Sequence, residues 1–90
     1  MRKIEKATKF KADYKREIRT DAALMDLLKP ILESLVNDQP LLEKYRDHGL
    51  NGRWKGYRDC HVKPDLVLIY KKHQDLLSLV RLGSHAELFG

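Results

Sequence analysis

Apolar residues recur every four positions from Phe10 through Tyr14 to Ile18, with Lys and Arg between them. That spacing predicts a helix with a narrow apolar stripe and a basic outer face, with Thr8 as its N-cap. Residues 2–7 ahead of it predict a short strand. Asp21 is the next N-cap candidate, and Leu24, Leu27, Leu28, Ile31 and Leu35 keep helical spacing to about Val36. Pro30 falls inside this second helix and removes a backbone donor, so a kink or a split is expected there. Asn37-Asp38-Gln39-Pro40 ends the helix.

Residues 41–52 are rich in charge and glycine and predict a loop. Three strand-like runs follow, Arg53–Asp59, Leu66–Lys71 and Leu76–Leu82. The middle run, Leu66 to Tyr70, is continuously apolar, as a central strand covered on at least one face would be. Short connections predict an antiparallel meander. Ser84 caps a last helical turn, with Glu87 placed to complete an S-x-x-E capping box. The order β-α-α-β-β-β plus a short C-terminal helix predicts an α+β fold. One domain, residues 1–90, packs its two N-terminal helices on a small antiparallel sheet.

Composition narrows the class. The chain has 90 residues, enough for one domain with a limited core. No apolar stretch approaches the ~20 residues of a membrane span. The charged start leads into no apolar signal core, so a cytoplasmic protein without membrane contact is expected. The single cysteine, Cys60, allows no internal disulfide and no cysteine pair for zinc. The net charge of +5 is segregated: residues 1–19 and 44–72 each hold eight Lys/Arg against three Asp/Glu, while residues 20–43 hold one against five. Clustered cations favour a polyanion or an acidic protein partner, although a merely solubilising surface has the same composition.

The meander gathers reactive side chains. With loops at Cys60–Asp65 and Lys72–Asp75, Asp59 and Arg81 both lie opposite Leu66. His61, Asp65, Arg81 and His85 then meet at one end of the sheet, and His73 is left at the other. His48 can join from the preceding loop. Two histidines can divide general base and general acid. Arginine presents a donor fork to a phosphate. A carboxylate can orient a ring or take a proton. Together they suit RNA cleavage by its own 2′-hydroxyl, with no cofactor and no metal. Each residue also has a structural reading: His61 as an ordinary loop residue, Asp65 as a turn former after Pro64, and Arg81 as a surface partner of Asp65. Trp54 and Tyr57 are as readily core as base-stacking platforms. A Cys60 thiol nucleophile lacks an oxyanion hole, and the His/Asp spacing matches no compact metal motif.

From Tyr45 onward the chain carries a longer pattern. Lys44-Tyr45-Arg46-Asp47-His48-Gly49-Leu50-Asn51-Gly52-Arg53-Trp54-Lys55-Gly56-Tyr57-Arg58-Asp59-Cys60-His61 resembles the signature of YafQ-type toxins, a branch of the RelE/ParE superfamily. The pattern continues through Val62-Lys63-Pro64-Asp65 and Leu68-Ile69-Tyr70 to the ending Arg81-Leu82-Gly83-Ser84-His85-Ala86-Glu87-Leu88-Phe89-Gly90. The resemblance implies a toxin of a type II toxin–antitoxin pair that cuts mRNA in the ribosomal A site. It implies a small antitoxin partner that folds over the toxin, the pair often acting on operator DNA. The family's functional residues fall on His48, His61, Asp65 and His85, with His85 and Asp65 the first expectation for proton transfer. Phe89 is the family's C-terminal aromatic, and Arg81 stands where related toxins place a basic residue near the scissile phosphate. Lys55, Arg58 and Lys63 in the same segment are expected to help bind RNA.

Two positions depart from the family pattern. Close relatives carry tryptophan after the Pro-Asp pair, and here it is Leu66; a lost base stack would weaken binding by about 1–3 kcal/mol. Pro30 is the other. The competing reading is a binding module, either an impaired toxin or a ParE-like relative acting on another target, and it draws on Leu66. It has no need of His48, His61, Asp65 and His85 together. A DNA-binding repressor fits less well, because no helix-turn-helix is recognisable.

Overall fold

In the computed structural model, which describes residues 1–90, the chain runs β1 (Lys3–Lys6), α1 (Thr8–Thr20), α2 (Leu24–Val36), β2 (His48–Gly49), β3 (Arg58–Lys63), β4 (Leu66–His73), β5 (Leu76–Gly83) and α3 (His85–Phe89). Single 3-10 turns at Glu43–Tyr45 and Gly52–Trp54 flank β2. The α+β class and the order of the expected elements hold. The sheet differs in one respect. Its order is β1-β5-β4-β3-β2, and β1 pairs with β5 in parallel, so it is mixed rather than wholly antiparallel. All four residues of β1 are exposed, so no hydrophobic alternation encodes which neighbour it takes or in which direction.

The helices begin one and two residues away from where their polar residues suggest. Ala7, not Thr8, is the N-cap of α1, and no side chain caps that end. Asp21 precedes the cap of α2, which is Ala23, but it organises the approach: its Oδ1 accepts from the Ala23 N–H at 3.0 Å. α2 runs unbroken through Pro30. The missing proline N–H would have served the carbonyl of Asp26 one turn earlier. Both residues are exposed, so water can take that donor's place.

The strand register also shifts. β3 is Arg58–Lys63 rather than Arg53–Asp59, because Gly52–Trp54 forms a 3-10 turn and Gly56 adopts φ +93°. The connections are two-residue turns, Pro64-Asp65 and Gln74-Asp75. Asp59 and Arg81 therefore both stand opposite Ile69, not Leu66, while Val67 stands between His61 and Gly83. Tight turns won over the longer loops read from the sequence because they extend each ladder by further hydrogen-bonded pairs.

β4 is central and covered on both faces. Leu66, Leu68 and Tyr70 pack with Phe10, Leu24, Leu28 and Ile31 of the helices. Val67 and Ile69 point the other way, against Leu88 with Leu50, Trp54, Tyr57, Val80 and Phe89 around them. Each fully buried Leu or Ile contributes roughly 1.5–3 kcal/mol, so this strand fixes the sheet on which the polar residues are displayed.

Candidate active site

β3 displays Asp59 and His61 on the face away from α1 and α2, since residues two apart on a strand share a face. β2 places His48 opposite Asp59. At the end of β5, Ser84 caps α3 by accepting the Glu87 N–H at 3.1 Å, and α3 begins at His85. Three histidines from three elements thus lie within electrostatic reach of one carboxylate, with His48 Nδ1 3.2 Å from its Oδ1. Asp59 is only 2% exposed. Burial pushes its carboxyl above the usual carboxylate range, and the charges of His48, His61 and His85 each act in the opposite direction.

Local backbone fixes two of the rings. The Nδ1 of His48 lies 2.8 Å from the carbonyl oxygen of Arg46, and that of His61 lies 3.2 Å from the carbonyl of Pro64. A carbonyl only accepts, so each Nδ1 carries the proton and each Nε2 keeps a lone pair in the neutral ring. Arg46 reaches this geometry in the left-handed region, at φ 51° and ψ 43°. The third ring, His85, packs against Phe89 with centroids 4.8 Å apart, one helical turn away.

The remaining expected residues are distributed differently. Asp65 sits in the exposed Pro64-Asp65 turn beyond His61 and makes no ion pair with a histidine. Arg81 shares the cross-strand row of Asp59 and Ile69, but its fork is engaged: Nε and Nη2 donate to Asp13 at 2.8 and 3.3 Å. Arg58 donates to Asp47 through two nitrogens at 3.3 Å each, and Tyr70 Oη donates to the same carboxylate. Lys63 binds Asp21 at 3.0 Å, whereas Lys55 is exposed and makes no ion pair. His73 pairs with Leu76 at the far end of β4. Trp54 and Tyr57 meet edge to face at 5.4 Å within the second apolar cluster. Cys60 is fully buried, which pushes its thiol up and out of the range of a nucleophile at neutral pH. No three His, Cys, Asp or Glu side chains are arranged to hold a metal ion.

Sequence reasoning missed two residues. Asp59 was placed at a strand end, although its two-residue spacing from His61 was the available signal. Asp13 is 3% exposed on α1, three residues after Phe10 and therefore on the inward stripe. Beyond Leu79, β5 has no strand neighbour on the β1 side. Asp13 fills that gap, accepting from the Leu82 N–H at 3.0 Å. Burial alone would raise its carboxyl. The bonds from Arg81 and Leu82, with the charges of Arg81 and Arg16, outweigh burial and leave it below the usual range.

Residues 2–90 match the family described as a bacterial toxin of type II toxin–antitoxin systems, YafQ. The chain is 41% identical to the mRNA interferase toxin YafQ of Escherichia coli K12, over 97% of this chain and 99% of that protein. The fold is similar to that of a copper-bound mutant toxin from Helicobacter pylori, with a TM-score of 0.95, 37% identity, and 99% and 100% of the two chains covered. It is also similar to a chain in the E. coli DinJ–YafQ complex, with a TM-score of 0.85, 44% identity and full coverage of both chains. With residues 2–90 matched by the family and near-complete relatives above 40% identity, the chain belongs to the YafQ family of bacterial type II toxin–antitoxin toxins.

Proposed function

We propose that this protein is an endoribonuclease, an mRNA interferase that cleaves mRNA in the ribosomal A site by metal-independent acid–base chemistry. One observation carries the reading: the carboxylate of Asp59 is buried 3.2 Å from the Nδ1 of His48 and within electrostatic reach of His61 and His85. A structural protein gains nothing from burying a carboxylate among three exchangeable proton carriers.

The chemistry follows from the lone pairs. A ring Nε2, of His61 or His48, takes the proton of the ribose 2′-hydroxyl. The 2′-oxygen attacks phosphorus, the bond from phosphorus to the 5′-oxygen breaks, and that oxygen receives a proton from His85. The products are a 2′,3′-cyclic phosphate and a 5′-hydroxyl, and no oxidant or metal enters the balance. Ionised Asp59 stabilises whichever imidazole carries the extra proton. Arg81 keeps Nη1 for the phosphate, and Phe89 offers a ring beside His85. Asp65, Lys55, Arg58 and Lys63 form the outer part of the site, where proton exchange and RNA contact take place. Leu66 does not favour the binding-module reading, because its side chain is 3% exposed in the helix-covered core and does not line the histidine face.

The partner is a small antitoxin protein, as the DinJ–YafQ complex of the relative suggests, and operator DNA is met only through that complex. The site of action is the cytoplasm, where the ribosomes are. No helix is long and apolar enough to cross a membrane. Primer extension on mRNA bound to programmed ribosomes tests the reading. Cleavage at a defined A-site position is expected, and it should persist with a chelator that spares magnesium. Loss under the chelator with recovery on added copper or zinc overturns metal independence. No cleavage by folded protein overturns the enzyme.

A further inference from the structure

We propose that the cleft beside His61 is a second RNA subsite, which holds the nucleotides adjoining the scissile phosphate and is gripped by Lys44 and Arg46. The inference rests on the ribonuclease reading above and extends it beyond the histidine cluster.

The cleft exists because β2 is so short. It pairs with Arg58 and Asp59 only, so the outer edge of β3 from Cys60 to Lys63 has no strand neighbour. The chain turns away at Arg46, and α2 closes the far side. The gap between them is about 590 Å³, within the usual range for ligand pockets and enough for roughly one or two nucleotides. Leu27, Val62 and the half-buried ring of Tyr45 form its apolar wall.

Of the three cations that line it, Lys44, Arg46 and Lys63, the first two are unlike the others near the active site. Arg58, Lys63 and Arg81 each already hold a carboxylate. Lys44 and Arg46 line the cleft, are exposed, and make no ion pair. Arg46 is also held in the left-handed region, which L-residues other than Asn, Asp and Gly seldom adopt. That conformation turns its carbonyl to His48 while its side chain stands at the cleft. One residue thus links the catalytic ring to the cation of the cleft. His61 makes the second link: it flanks Asp59 and also lines the cleft. A strand whose phosphate lies at His61 continues over the β3 edge into this space.

Asp26, on the α2 side, makes no ion pair and can accept from a ribose hydroxyl or a base amine. That acceptor favours RNA over an acidic peptide, whose carboxylate side chains offer it no donor.

The test uses a six-nucleotide 2′-O-methyl RNA, which cannot be cleaved, and fluorescence anisotropy at low salt. Lys44→Gln/Arg46→Asn removes both charges, and Asn tolerates the left-handed backbone, so folding and the His48 contact are retained. Wild-type protein should bind, and the double variant should bind at least tenfold more weakly. The slope of log affinity against log salt should fall by about 1.4, two contacts at ~0.7 each for single strands. Lys3→Gln/Lys6→Gln, which removes the same charge on β1, should have a much smaller effect. Equal binding by the cleft variant and wild type overturns the proposal, as does no binding by wild type. So does a loss of affinity confined to an Asp/Glu-rich peptide, which would mark the cleft as a protein contact. Binding is read without cleavage, so failure of the ribosome assay above leaves this result standing on its own.

Discussion

Asp59 Oδ1 lies 3.2 Å from the Nδ1 of His48, yet that nitrogen directs its proton to the carbonyl of Arg46, and the buried carboxylate oxygen is left without a hydrogen bond. An oxygen so placed is costly to the fold when it is charged and useful only where positive charge appears on a neighbouring ring.

Asp59→Asn should therefore separate activity from stability. Burial raises the Asp59 carboxyl in the folded state. Its favourable contribution is complete below the unfolded pKa of about 3.9 and is lost as pH rises through the folded value. At pH 7 the asparagine variant should melt at or above the wild-type temperature, while cleavage falls by about 10²-fold or more. Parallel thermal melts and ribosome cleavage assays check this, and a strongly destabilised but active variant would show that Asp59 is a structural group.

His61→Ala and His85→Ala should each lower kcat by roughly 10²- to 10⁴-fold with little change in melting temperature, since both rings are partly or fully exposed. Asp65→Asn should likewise slow cleavage with little change in melting temperature, since that side chain is exposed in its turn. His73→Ala, at the far end of β4, should leave cleavage unchanged. The pH dependence of single-turnover cleavage distinguishes these cases.

Asp13→Ala leaves the Arg81 fork and the Leu82 N–H without their shared acceptor. A loss of about 2–4 kcal/mol in urea unfolding is expected, because removing one partner strands buried polar groups. Arg81 would also be released to move, so the KM for RNA should change along with stability.

Asp38 provides an acid-stability test away from the site. Hydrogen bonds from Arg2 and then Lys72 hold its carboxyl down at about 2. A depressed folded pKa means stability present above the unfolded value and lost as pH falls through the folded one. Wild-type melting temperature should drop between about pH 4 and pH 2, and Asp38→Asn should reduce the part of that drop due to this residue.

Gly83→Ala tests the placement of α3. A Cβ there would collide with the Glu87 carboxylate and stand 3.4 Å from Leu88 Cδ2. Glu87 binds Arg16 at 2.8 Å rather than returning to cap the helix with Ser84, so the capping box is only half formed. The flexible carboxylate can move aside, which should cost little stability but loosen the hold of α1 on the helix that carries His85. Gly83→Ala and Arg16→Gln should each give a few-fold fall in kcat, and a normal rate in both variants would show that α3 is positioned by Leu88 alone.

Hydrophobic spacing determined the two helices, the central place of the apolar run Leu66–Tyr70, and the α+β class, because burial of one face is written into the period of a segment. The motif pattern from Tyr45 onward pointed to His48, His61, Asp65 and His85. Tertiary structure decided what spacing does not encode. The direction of β1 depended on hydrogen bonds to β5, since its side chains are all exposed. The two-residue turns set the register that placed Asp59 opposite His48 and on the face of His61, and they left Asp65 exposed in a turn. Asp13 joined Arg81 across 68 residues of sequence because a free strand edge needed an acceptor. A carboxylate's role follows from what removes its water and which charges replace it, and that is settled only when distant segments pack together.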